Sequence, residues 1–261
     1  MVILMIIENE ELNINLIEKN VPGIVSYKKI TESTNLDAKS SLNIPDKSVF
    51  LADMQTGGRG RLGRSWISPA GCGIWMSIYL KPQITISDIS QLTLIAGLAV
   101  SRVIADSVIK WPNDVLIKDK KVSGILTEMS IEQNKINYAV VGIGINVNNK
   151  EFPCELIDKA TSLYLETEKI TDRNILISKV LEEFFLMYDN FIKNGFSVFK
   201  DEYEKKCITL NKDVYLLKNE NKQIAKAVGI TEKGELITEI DGNIEVVNSC
   251  EVSVRGLLGY S

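Results

Sequence analysis

Between Gln55 and Trp66 the chain reads Q-T-G-G-R-G-R-L-G-R-S-W, so that Arg59, Arg61 and Arg64, three of the six arginines in the protein, are interleaved with Gly57, Gly58, Gly60 and Gly63. Guanidinium groups offer rigid paired donors that match phosphate and carboxylate oxygens, and glycines let backbone amides approach the same anion. The spacing Gly58-x-Gly60-x-x-Gly63 copies a dinucleotide-binding fingerprint, but that motif must open a helix, and Pro69 and Gly71 follow too closely for one. A Walker loop needs Lys-Ser or Lys-Thr after its last glycine, and a kinase glycine loop needs a histidine-containing catalytic signature. Both are absent. What survives is a loop that grips an anion. The competing reading is an RNA-binding segment in which Trp66 is a stacking surface.

The chain of 261 residues contains no histidine. That removes Ser-His-Asp and Cys-His nucleophilic sites, histidine-ligated zinc and histidine general bases together, leaving chemistry by positioning and fixed charge. A formal net charge of −4 argues against a general nucleic-acid or membrane-surface binder, so any anion site must be local. The four cysteines, Cys72, Cys154, Cys207 and Cys250, form no C-x-x-C pair, which points away from zinc and towards a reduced, cytoplasmic setting. The apolar run Val2 to Ile7 lacks preceding basic residues and is too short for a signal peptide or a membrane span.

Strands are predicted at Ile24 to Ile30, Ser48 to Met54 and Gly73 to Leu80, so the arginine loop joins two strands. Ser33 and Thr34 are N-cap types for a helix through about Leu42. Ser87 is expected to cap a long apolar helix reaching about Asp106, and Thr171 one from Asp172 to about Lys193. Lys110-Trp111-Pro112-Asn113-Asp114 reads as a rigid turn, followed by a lysine-rich turn in which spacing does not choose among Lys118, Lys120 and Lys121. Strands follow at Val122 to Met129 and Asn137 to Val147, the second interrupted by Gly142 and Gly144. Glycine inside a buried strand marks the close approach of a ligand or of another protein element. Past Asn211 come short alternating strands, a separate small β-meander or barrel. Mixed strands with segregated helices favour an α+β fold.

Four ordered motifs carry a resemblance: G-R-G-R-L-G-R-x-W, K-W-P-N-D at Lys110 to Asp114, K-V-S-G-I-L at Lys121 to Leu126, and G-I-G-I-N at Gly142 to Asn146. Together they closely resemble the catalytic domain of biotin protein ligases. The resemblance implies an α+β fold of the class II aminoacyl-tRNA synthetase/biotin ligase type, a mixed sheet with helices packed on it, plus a small C-terminal SH3-like β-barrel. It implies residues 1–23 as a short N-terminal extension, 24–210 as the catalytic domain and 211–261 as the C-terminal β domain.

The implied reaction uses biotin and Mg-ATP to form biotinyl-5′-AMP, then transfers biotin to a lysine of a biotin carboxyl carrier protein. Carried over by position, Ser33, Thr34, Asn35 and Gln55 would hold the polar head of biotin, with Gly58 and Arg59 contributing backbone. Gly142 and Gly144 would give room for its ring. Arg59, Arg61 and Arg64 would bind the adenylate, joined by Trp66 near the adenine and by Lys110, Asn113 and Asn146. The S-G-I-L that follows singles out Lys121 for the charge built up during adenylation, so that Lys121, Arg61 and Arg64 would be the catalytic groups and Asp114 a carboxylate on the metal side. Leu62 departs from members with a further arginine there. Because about 23 residues precede the first strand, no DNA-binding role is expected, and the sequence does not choose between a monomer and a homodimer. A lipoate or octanoate ligase is the nearest alternative, although those signatures contain histidine.

Overall fold

The computed structural model of this protein describes residues 11–218, 221–249 and 253–256; the run Val2 to Ile7 lies outside them. The elements in chain order are α1 (Ile14–Glu18), β1 (Val25–Thr31), α2 (Thr34–Ser40), β2 (Ser48–Gln55), β3 (Gly73–Leu80), α3 (Gln91–Val103), β4 (Val108–Lys110), β5 (Asp114–Ile117), β6 (Lys120–Glu132) and β7 (Lys135–Asn146). They continue as α4 (Leu163–Thr167), α5 (Arg173–Asn194), α6 (Lys200–Lys206), β8 (Asp213–Lys218), β9 (Asn221–Ile230), β10 (Leu236–Ile240), β11 (Asn243–Val247) and β12 (Ser253–Gly256).

Seven strands form one mixed sheet in the order β1-β2-β3-β7-β6-β5-β4, with β1 and β2 parallel and every other pair antiparallel. Its two faces differ because side chains alternate along a strand. One face sends Ile74, Met76, Ile78 and Leu80 of β3, with Val141, Ile143 and Ile145 of β7, into a core shared with the buried face of α5 and with α3. Helix α3 is buried over almost its whole length. The stretch Ile86–Val103 is apolar enough to pass for a membrane span by length and composition, yet it is 67% buried in this core.

The opposite face carries different chemistry. Trp75 and Ser77 of β3 lie opposite Gly144 and Gly142 of β7, which in turn lie opposite Gly124 and Leu126 of β6. Further along, Tyr79, Val140, Phe50 and Ala38 close a small second cluster under α2. The glycine rows thus leave a trough between that cluster and the arginine loop.

Two tethers fix the ends of the trough. Arg173, at the start of α5 and 2% exposed, places Nη1 2.8 Å from Asp53 Oδ1 and donates to Gly73 O, while Gly71 N donates to the same carboxylate oxygen. This ties the return of the arginine loop to the helix layer. At the far edge, β4 and β5 form a hairpin around a cis Trp111–Pro112 peptide. Trp111 donates through Nε1 to Gly234 O at 3.0 Å and through its amide to Thr209 Oγ1.

Several local expectations shift. The cap of α5 is Asp172, which accepts from Asn174 N and Ile175 N, not Thr171. Helix α3 begins at Gln91, with Ser87 in a separate short turn. The short helix α1, capped by Asn13 with Ile17 fully buried, was not foreseen. The C-terminal strands form a five-stranded antiparallel sheet in the order β11-β10-β9-β8-β12, and among the described residues its outer strands do not pair into a closed barrel.

Breaking a buried ion pair from one side leaves an uncompensated charge. Arg173→Met is therefore expected to lower unfolding free energy by about 3 kcal/mol in urea titrations. A loss below about 1 kcal/mol would show that Asp53 does not need its partner.

Candidate active site

The trough opens into a cavity of about 590 Å³. It is lined by every residue to which the resemblance gives a site role except Gly58, whose role is to carry backbone: Gly58 O accepts from Trp66 N at 2.9 Å, and a side chain at Gly58 would strike Trp66 O at 2.4 Å. The loop itself is zipped. Gln55 pairs with Ser68, Arg59 with Ser65, and Gly60 N donates to Arg64 O, with the turn at Arg61 to Gly63. Leu62 adopts φ 56° at the exposed tip and Gly63 φ 71°.

The three arginines diverge from this turn. Arg61 reaches inward, donating to Asn113 Oδ1 at 3.2 Å and to the carbonyl of Ser249, just past β11 in the C-terminal domain. Arg64 is exposed at the mouth. Arg59 stands at the rim, 3.3 Å from Glu32. One loop thus spans the cavity from the sheet to the second domain.

At the opposite end neutral hydrogen-bonding groups form a row closed by the Lys39–Glu128 ion pair. Gln55 Oε1 accepts from the Thr34 amide at 2.9 Å and from its hydroxyl at 3.2 Å, and Gln55 Nε2 donates to Ser68. Ser33 occupies the cap position of α2 without making a cap bond, and Gln55 satisfies the first helix amide instead. Asn35 donates to Glu128 Oε2 at 2.7 Å, and Ser77 lies within hydrogen-bond reach of both Asn35 Oδ1 and Thr34 Oγ1. Lys39 closes the row 2.6 Å from Glu128 Oε1. Burial would raise the Glu128 carboxyl, but the bonds from Lys39 and Asn35 outweigh it and hold the group below the ordinary carboxylate range.

The two strand glycines are filled by protein. A methyl at Gly142 would lie 2.4 Å from Asn35 Oδ1, and one at Gly144 would lie 2.5 Å from Trp66 Nε1. The room they open is thus taken by Asn35 and the Trp66 indole, and those two side chains are what the cavity meets. Trp66 Nε1 is a buried donor with no partner among the described residues. Beside it, Lys121 Nζ stands 5.0 Å from the indole centre and 2.6 Å from Asp114 Oδ1. The structure distinguishes Lys121 from its neighbours: Lys118 pairs with Glu166, and Lys120 donates to the Ile157 carbonyl.

Asp114 therefore serves as counter-ion to Lys121. No group of three or more metal-binding side chains exists among the described residues. Asn113 is fixed by its bond to Ile125 O as well as by Arg61. Asn146 is buried and spends its amide on Thr161 O, and Lys110 is buried at 5% exposure. The sequence reading missed Glu128, Lys39 and Ser77 at the end away from the arginines. It also missed the segment Leu156 to Ala160, which runs beside β6 and fixes the Lys121 backbone through Lys159 O and Thr161 N. The alternation of Ser123, Ile125 and Thr127 with Gly124, Leu126 and Glu128 was the one available signal for Glu128.

Comparison with known proteins identifies similar chains and folds. A model described as the biotin/lipoate A/B protein ligase family matches residues 26–146, and one described as the biotin protein ligase C-terminal domain matches residues 209–255. The chain is 36% identical over 237 residues to the bifunctional ligase/repressor BirA of Bacillus subtilis, covering 87% of this chain and 73% of that protein. It is 31% identical to a biotin--[acetyl-CoA-carboxylase] ligase of Mycobacterium tuberculosis, with 85% of each chain covered. A biotin protein ligase from Aquifex aeolicus, solved with biotin and ATP, superposes with a TM-score of 0.80 at 37% identity, over 89% of this chain and 98% of that one.

Any side chain at position 144 must displace the indole. Gly144→Ala is expected to cost about 2 kcal/mol of stability and to change tryptophan emission. An unaltered spectrum and denaturation midpoint would show that Trp66 is not seated on the strand.

Proposed function

This chain belongs to the biotin protein ligase family, and from that premise we propose that it activates biotin with ATP and transfers it to a carrier protein of acetyl-CoA carboxylase or a related carboxylase. The supporting observation is the position of Lys121, held by Asp114 between a hydrogen-bonding row at one end and the arginines at the other end of one cavity. A ligand that fits has a neutral polar head, an apolar arm and a carboxylate joined to a nucleotide. Biotinyl-5′-AMP has these parts in that order.

In the first step a biotin carboxylate oxygen attacks the α-phosphorus, the bond to the β-phosphate breaks, and pyrophosphate leaves. Lys121 lies where negative charge from carboxylate and phosphate converges, and Arg61 and Arg64 grip the phosphates from the loop. Ser33, Thr34, Asn35 and Gln55 hold the head of biotin. Trp66 packs near the adenine, and Asn113, Lys110 and Asn146 line the nucleotide end. Magnesium would enter as part of Mg-ATP, and Asp114 is a carboxylate lining the cavity that would hold it.

In the second step the neutral amine of a carrier lysine attacks the acyl carbon, AMP departs with the bonding electrons, and the new nitrogen releases a proton to solvent. Neither step requires an imidazole. Residues 24–210 form the catalytic domain in this reading and 211–261 an accessory domain that meets the loop through Ser249. A cytoplasmic setting suits the free Cys72, Cys154 and Cys207. The repressor half of the BirA name stays with those relatives.

Purified protein with Mg-ATP should exchange pyrophosphate into ATP only when biotin is present. Exchange supported by lipoate and not by biotin would assign the site to the other branch of the family. Lys121→Ala is expected to slow single-turnover adenylation by about a thousandfold while weakening biotin binding by less than about tenfold. Equal losses in both would mean that Lys121 serves the ground state alone.

A further inference from the structure

Two groups of fixed hydrogen-bonding sense bracket the row of side chains at the end of the cavity away from the arginines. An ionised carboxylate only accepts, and a backbone amide only donates. Glu128 stands at one end of the row and the Thr34 N–H at the other, with Asn35, Ser77, the Thr34 hydroxyl and Gln55 between them. Lys39, 2.6 Å from the second carboxylate oxygen, keeps Glu128 charged from the side away from Asn35.

The bonds then have one consistent direction. Because Glu128 accepts, the Asn35 amide must turn its nitrogen to Oε2 at 2.7 Å and its oxygen to Ser77. Ser77 is fully buried and has one hydroxyl proton, which goes to that oxygen. The Thr34 hydroxyl, 2.7 Å from Ser77, donates to Gln55 Oε1 at 3.2 Å. Two features remain for a ligand: the second N–H of Asn35 as a donor, and a lone pair of Thr34 Oγ1 as an acceptor. A cyclic urea carries the complement, one carbonyl oxygen and ring N–H groups.

We propose that Glu128 is a positioning residue for biotin, which fixes the Asn35 amide and, through Ser77, presents a donor and acceptor pattern matched to the urea ring. This rests on the reading of the cavity as a biotin site. The alternation along β6 puts Glu128 on the cavity face, but nothing local in the sequence marks its partner, since Asn35 lies 93 positions away. Its influence on the ligand passes through Asn35.

Glu128→Gln preserves shape but adds a donor, so the Asn35 amide can reverse and turn a lone pair to the ligand. In biotin-dependent pyrophosphate exchange, the KM for biotin is expected to rise about tenfold with the KM for ATP within about twofold. The preference for biotin over 2-iminobiotin, which carries a donor in place of the urea oxygen, should narrow by about fivefold. An unchanged biotin KM, or equal rises in both KM values, overturns the proposal. Should Glu128→Gln fail to fold, Ser77→Ala cuts the same row and should raise the biotin KM alone by about threefold; no rise overturns the proposal. If the unmodified protein shows no biotin-dependent exchange, the functional reading falls and this inference with it. A biotin-responsive protein whose Glu128→Gln variant is unaltered removes the inference alone.

Discussion

The absence of side chains at Gly124, Gly142 and Gly144 is the constraint from which the rest of the site follows. Gly124 and Gly142 flank or face Gly144 on paired strands, so one face of an otherwise filled sheet has a depression in it. Glycine weakens a strand through its entropy and its lack of packing surface. Here the opposite face compensates, because Val141, Ile143 and Ile145 alternate with the glycines and are buried against the helices. The same period-2 rule therefore builds the core on one side and a seat for Asn35 and Trp66 on the other. Those two side chains set the shape that a ligand meets.

Fixed charge does the work that histidine does elsewhere. Lys121 is held by a carboxylate at 2.6 Å and by the face of an indole, so its ammonium is placed before any substrate arrives. Preplaced charge needs no reorganisation when charge develops in a reaction. The pair also restrains Lys121: a carboxylate and phosphates entering the cavity must compete with Asp114 for the same ammonium. In the proposed reaction that competition is favourable, because the substrates bring more negative charge than the single carboxylate they displace.

Much of this was legible in the sequence. The arginine loop, the rigid turn at Lys110 to Asp114 and the interrupted strand at Gly142 and Gly144 are local signals, and each falls on the cavity. Long-range pairings were not legible. Glu128 and Lys39 look like ordinary surface charges on a strand and a helix, and only the register of β6 beside β7 brings Glu128 to Asn35. The tie from Arg173 to Asp53 spans 120 positions, and a lone arginine at a helix start gives no hint of it. A turn sequence reveals Asp114 but not its partner, the Lys121 ammonium 2.6 Å away. Periodicity likewise described the C-terminal strands without saying whether their outer edges meet.

The second domain is bound to the first at the points that bound the cavity. Gly234, with φ 79°, turns its carbonyl to the Trp111 indole, and a methyl there would lie 2.1 Å from Leu94 Cδ1. Trp111 sits beside Asn113 in the turn, Asn113 accepts from Arg61, and Arg61 reaches the carbonyl of Ser249. The contacts form a circuit that runs from the turn to the loop, on to the C-terminal domain and back to the turn. A ligand that engages the Arg61 guanidinium therefore meets a group already bonded to the turn and to the C-terminal domain.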